Sequence, residues 1–233
     1  MIKSILITVS LTISLYSSQQ IVLVVSNDFN SSKAKLECFE NNKTMFPIID
    51  VNIGKNGLGW GIGKESLHKV NNEPIKMEGD KKAPAGIFKL TDIFGYSHGS
   101  NYSLPYLFTS KNLICVDDSD SPFYNQIVEM QGDEKSFEYM KRSDAQYELG
   151  VVVAHNNQAI PKHGSCIFLH VQKGDNEGTA GCTSMKLKDL KKITHWLKKE
   201  KNPILIQIPK SSREEILQVY PQLKNSELLK REL

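Results

Sequence analysis

Four cysteines in 233 residues are too few for a small disulfide-built scaffold, and a chain of this length buries enough apolar surface to fold without staples. Two bridges in any of three pairings remain open, as does one reactive thiol with three bystanders. Charge of one sign is also lacking: 29 Lys and Arg against 26 Asp and Glu leave +3, too small a surplus to suggest a nucleic-acid partner. Fifteen glycines and nine prolines beside 39% hydrophobic residues exclude collagen-like and disordered classes and leave an ordinary globular composition. Beyond residue 26 no apolar run is long enough to cross a bilayer.

The exception is the start. Lys3 precedes an apolar run over residues 5–16, and Ser17, Ser18, Gln19 and Gln20 end it. Twelve apolar residues fall short of the roughly 20 that a spanning helix needs, so residues 1–18 read as a secretory signal peptide, in preference to an uncleaved anchor or a buried strand. The mature chain is expected to begin near Gln19, to be exported, and to have no stable membrane insertion after cleavage. No cysteine lies near that junction, which excludes lipidation of a mature N-terminal Cys.

From residue 20 onward short β-branched runs recur: 20–26, 34–40, 47–53, 113–116, 126–128, 150–154 and 166–171. Residues 83–90, APAGIFKL, read as a Pro/Gly turn feeding a further strand. Leu187, Leu190, Ile193 and Leu197 recur at helical spacing while Lys188, Lys191 and Lys192 point elsewhere, predicting one amphipathic helix with a solvated lysine face. Asn202-Pro203 ends it, and residues 204–208 return as a strand. Ser212 with Glu215 resembles a capping box opening a helix over 213–223 within a helical tail, 210–233. The expected architecture is mainly β.

Two clusters are set aside. Gly57, Gly59, Gly61 and Gly63 alternate, but Ile62 stands where a G-x-G-x-x-G loop needs glycine, so they mark close backbone approach and not a nucleotide site. Asp117, Asp118 and Asp120 lack the rest of a calcium loop and read as a turn.

The informative region is residues 163–185, HGSCIFLHVQKGDNEGTAGCTSM. Strand alternation places Cys166, Phe168 and His170 on one face, with His170 at the exit of the apolar run. Cys182 follows a glycine and precedes a helix expected to begin near Met185, where backbone N–H groups and the helix dipole favour a thiolate and can hold an oxyanion. A nearby histidine completes a nucleophile–base pair for acyl transfer. No carboxylate partner for His170 is evident from spacing, which leaves a backbone carbonyl to orient it. Two other readings use the same residues: a zinc site of His163, Cys166, His170 and Cys182, whose spacing matches no common zinc signature, and a structural Cys166–Cys182 disulfide.

Several motifs in order, IVLVVSNDFN, VNIGKNGLGWG, KMEGDKKAPAGIFKL, GVVVAHN, GSCIFLHV and TAGCTSM, resemble the YkuD-type L,D-transpeptidases of bacterial cell walls, in the branch that writes Thr-Ala-Gly-Cys at the nucleophile. The resemblance covers most of residues 20–209 and implies a YkuD-like β-sandwich catalytic domain located in the periplasm or cell envelope. It also implies Cys182 as nucleophile, His170 as base, and backbone N–H groups around Gly181 and Thr183 as the oxyanion hole, with peptidoglycan stem peptides as partners and no metal or organic cofactor. APAGIF corresponds to a structural turn beneath the catalytic sheet. Ala180 and Ser184 depart from the family, standing where histidine and arginine are usual. The reaction implied is attack on a tetrapeptide stem, release of D-alanine, and resolution of the thioester by an amine or by water. An L,D-carboxypeptidase on the same site, or an idle peptidoglycan-binding envelope protein, are the alternatives.

Overall fold

The computed structural model describes residues 19–65, 67, 72–98 and 101–230. The proposed signal peptide, 1–18, lies outside the described residues.

Valine and isoleucine dominate the first strand, β1 (Ile21–Ser26), which is buried on both faces as its unbroken β-branched run requires. It pairs antiparallel with β2 (Lys33–Glu40), which also pairs with the two-residue β3 (Lys43–Thr44) and with β4 (Ile49–Asn52). The glycine-rich segment holds β5 (Leu58–Trp60), and the long β6 (Ala83–Gly95) follows, paired with β5 and with β7 (Tyr106–Phe108). A separate three-stranded sheet contains β8 (Leu113–Val116), β9 (Ile127–Glu129) and β10 (Phe137–Tyr139), with β8 in the middle. The chain then returns to the main sheet as β11 (Leu149–Val153), β12 (Phe168–Val171) and β13 (Thr183–Met185). Helix α1 (Leu187–Trp196), β14 (Ile204–Pro209) and the short helices α2 (Arg213–Val219) and α3 (Glu227–Lys230) complete the order.

The main sheet runs β1-β14-β6-β11-β12-β13-β4-β2, and β2 pairs with β1, so the sheet closes on itself. The protein is mainly β as expected, but the sheet is a closed barrel and not the sandwich of two stacked sheets that the resemblance implied. Closure removes the unpaired edges that an open sheet would leave.

Four local expectations change. The APAGIF turn does not exist as a turn: β6 runs through Pro84 and Gly86, and Pro84 offers its carbonyl to Gln207 Nε2 at 2.8 Å. The run at 166–171 becomes a strand only at Phe168, because Cys166 adopts φ +54. Residues 183–185 form a strand, which delays α1 to Leu187. Ser212 sits at the N-cap of α2, yet its hydroxyl makes no capping hydrogen bond, and α2 stops at Val219.

The alternating glycines do mark close approach. Gly57 has φ +81, and a Cβ there would stand 1.9 Å from the Phe29 carbonyl oxygen; at Gly61 it would come within 2.9 Å of His155 Nδ1. Asp118 closes the acidic turn through its carbonyl and carboxylate, which accept from the Ser121 and Asp120 N–H groups. On α1, Leu190 and Ile193 are buried while Lys188, Lys191 and Lys192 are exposed. The tail packs on the barrel through Ile216, Leu223, Leu228 and Leu229, all in the main core. Glu37 of β2 fastens it, accepting from Ser226 Oγ at 2.6 Å and from the Leu228 N–H at 3.1 Å.

Candidate active site

β12 and β13 run parallel, with Leu169 opposite Thr183 and His170 opposite Ser184. One step back along this register, Cys182 comes opposite Phe168, whose N–H donates to the Cys182 sulfur at 3.3 Å. Alternation puts Phe168, His170, Cys182 and Ser184 on one face of the pair. Residues distant in sequence but quoted together above therefore meet through strand pairing, and the helix N-terminus expected beside Cys182 is not there: β13 intervenes.

The turn carrying Cys182 is held by Thr179. Its hydroxyl donates to the Cys182 carbonyl at 2.6 Å and accepts the Gly181 N–H at 3.1 Å, and its own backbone bonds to Ile53 and Lys55 beside β4. Thr183 turns its hydroxyl to Gln207 Oε1 at 2.6 Å. Of the two residues expected to line an oxyanion hole, Gly181 thus has its N–H engaged within the turn, and Thr183 has its side chain buried beneath the strand.

Cys182 is 7% exposed, and its thiol donates to the Cys166 carbonyl at 3.4 Å. Burial, with the Glu138 carboxylate adding to it, pushes the thiol up to about 12, against the pull of the Phe168 N–H, Lys76 and Tyr147. His170 is 4% exposed, and Nδ1 lies 2.8 Å from the Val171 carbonyl oxygen. A carbonyl only accepts, so Nδ1 carries the proton and Nε2 presents a lone pair, the tautomer a base needs. Burial holds this imidazole down near 4. The orienting group is thus the backbone carbonyl left open by the lack of a nearby carboxylate in the sequence.

Cys166 is joined to Cys115 by a disulfide, leaving Cys38 and Cys182 free and buried. This replaces the Cys166–Cys182 pairing. It also breaks up the zinc set: Cys166 is consumed, and His163 turns its Nδ1 to the Pro161 carbonyl at 2.9 Å. His155 is buried, bonded through Nε2 to the His163 carbonyl at 2.9 Å and receiving the Ile62 N–H at Nδ1, so it serves the packing of that loop.

Three side chains beside Cys182 escaped the sequence reading. Lys76, 3% exposed, reaches Asp80 Oδ1 and the Met77 carbonyl, each at 2.7 Å, and is close enough to favour the thiolate. Tyr147, 4% exposed, donates to Glu138 Oε2 at 2.5 Å. Its ring meets those of His170 and Phe168 edge-on at 5.2 and 5.5 Å. A cavity of about 730 Å³ opens beside Glu138, lined also by Lys111, Lys141 and Arg142. Lys76 opens the KMEGDKKAPAGIFKL motif without a role having been read for it, and nothing in the local sequence of Glu138 or Tyr147 marks them; each arrives from a different segment.

The family model of the YkuD L,D-transpeptidase catalytic domain matches residues 21–206. No curated protein and no solved structure matches the chain.

Proposed function

The chain belongs to the L,D-transpeptidase catalytic-domain family, whose enzymes act on the bacterial cell wall, and we propose that it is a cysteine acyltransferase working on peptidoglycan stem peptides, with Cys182 as nucleophile and His170 as base. The observation carrying this reading is the parallel pairing of β12 and β13, which sets a cysteine and a correctly tautomerised histidine on one face of adjacent strands.

The chemistry follows from the groups present. His170 Nε2 takes the Cys182 proton, and the sulfur attacks the carbonyl joining the diamino acid to the terminal D-alanine of a tetrapeptide stem. The carbonyl oxygen gains negative charge and is held by backbone N–H groups around Gly181 and Thr183, once the turn releases the donor now on Thr179. Collapse breaks the C–N bond, the imidazolium returns its proton to the leaving amine, and a thioester remains. An amine from a second stem gives a crosslink, a free D-amino acid gives exchange, and water gives trimming. Export through the 1–18 signal peptide would bring the protein to the periplasm or cell envelope; among the described residues no helix is long and apolar enough to cross a membrane.

Incubating the chain from Gln19 onward with tetrapeptide muropeptides and weighing the products tests this directly. Loss of one D-alanine, with or without a new crosslink, is expected. Unchanged muropeptides that are nonetheless retained by the protein would favour the binding-only alternative.

A further inference from the structure

The Cys182 sulfur, the His170 ring and the Glu138 carboxylate share one neighbour. Tyr147 precedes β11 and is buried, with its ring wedged between Phe94, Phe168 and His170 at 5.8, 5.5 and 5.2 Å. Its hydroxyl donates to Glu138 Oε2 at 2.5 Å, and Tyr147 and Cys182 belong to one buried cluster together with Phe94 and Phe168. Room for this arrangement comes from Gly150, opposite His170 in β11, because a Cβ there would stand 2.1 Å from the Phe94 ring.

We propose that Tyr147 is a third catalytic residue of this site, whose hydroxyl, held in the resting enzyme by Glu138, donates to the Cys182 sulfur as the thiol loses its proton. The S–H bond breaks, an N–H bond forms at His170 Nε2, and the tyrosine keeps its own proton throughout. The thiol now has one N–H donor, from Phe168, and an apolar surround; a thiolate there needs a second donor. Deprotonation of the tyrosine is disfavoured by burial and by the neighbouring Glu138, which makes it a steady donor and not a base. Glu138 has the opposite direct effect on the sulfur, since its negative charge opposes a thiolate while its acceptor oxygen aims the hydroxyl. The charged and titratable groups acting on the sulfur are Glu138 from β10, Lys76 from the loop after β5 and Tyr147 from the approach to β11, while His170 of β12 stands on the same face of the strand pair.

This rests on the nucleophile assignment above, so the test reads the thiol itself. Cys182 alkylation by iodoacetamide is followed against pH by peptide mass in the full chain from Gln19, for the wild type, Tyr147→Phe and Glu138→Gln. Phenylalanine keeps the ring contacts, so Y147F should still fold, with a melting temperature lowered only by the lost bond to Glu138, and should move the alkylation midpoint upward by about one pH unit, a roughly tenfold slower reaction below the midpoint. E138Q should move it downward, since the amide oxygen still accepts from the tyrosine without the charge. A Y147F midpoint at or below the wild-type value overturns the proposal, as does an upward shift in E138Q. Failure of the nucleophile assignment would look different: D-alanine release would survive Cys182→Ala whatever Y147F does.

Discussion

The carbonyl of Cys166 accepts a hydrogen bond from the Cys182 thiol at 3.4 Å, so the disulfide from Cys166 to Cys115 also positions the carbonyl that holds this thiol. A structural bridge and the free sulfur of Cys182, 16 residues apart in the chain, are consecutive links of one arrangement.

Under native, non-reducing conditions only Cys38 and Cys182 are free to alkylate, and Cys38 is 2% exposed with its thiol pushed upward by burial. Cys182, 7% exposed and with the Phe168 N–H and Lys76 favouring its thiolate, should label first, and Cys38 only on unfolding. Cys115→Ser should lower stability by about 4 kcal/mol, the chain-entropy expectation for a loop of this size, read as a fall in the urea midpoint. Label on Cys115 or Cys166 without reductant would contradict the bridge.

Cys182→Ala should abolish D-alanine release, because it removes the one thiol on the turn, and the hydroxyls of Thr179 and Thr183 are engaged with the Cys182 carbonyl and Gln207. His170→Ala should slow acylation by roughly 10² to 10⁴ while circular dichroism remains native. A pre-steady-state burst measured on both variants separates the roles: none for the first, a slow one for the second.

His155 and His163, both outside the proposed reaction, should differ in kind. His155→Ala removes a buried ring that bonds the His163 carbonyl and the Ile62 N–H, and should cost about 2–4 kcal/mol of stability. His163→Ala, at a partly exposed loop position, should stay within about 0.5 kcal/mol. Thermal melts decide between them.

Acid should expose the cost of two neutral buried histidines. His155 and His170 are each held near 4, against an ordinary value of 6.5, first by burial. Folded values below the unfolded ones mean that the unfolded chain binds more protons, so the stability these residues contribute is complete above about 6.5 and lost as pH falls toward 4. Their joint contribution to the slope near pH 5 is about 2.4 kcal/mol per pH unit. Urea titrations from pH 7 to 4 should show this fall, and His155→Gln should flatten it by about half.

Local patterning was enough for much of the chain. The β-branched run of β1, the LICV of β8 and the leucine spacing of α1 each name their element because the side chains repeat at the strand or helix period. His170 and Cys182 were legible as a pair for a related reason: an apolar strand ending in histidine and a glycine–cysteine turn are both short-range signals. What local pattern could not decide was which segments become neighbours. β13 has three residues and little propensity of its own; it is a strand because β12 and β4 lie on either side of it, and that displaces the helix from Cys182. Cys166 leaves the strand because Cys115, 51 residues away, holds it in a left-handed turn. Barrel closure depends on β1 pairing with both β2 and β14 from opposite ends of the chain, and Tyr147 meets Glu138, Cys182 and His170 only after that closure. The sequence by itself determined most of the elements and singled out His170 and Cys182 as the proposed pair, since those signals depend on residues a few positions apart. The surroundings that set the thiol's proton affinity were decided by tertiary structure, because burial and Coulomb interactions act through space between groups that no sequence spacing relates.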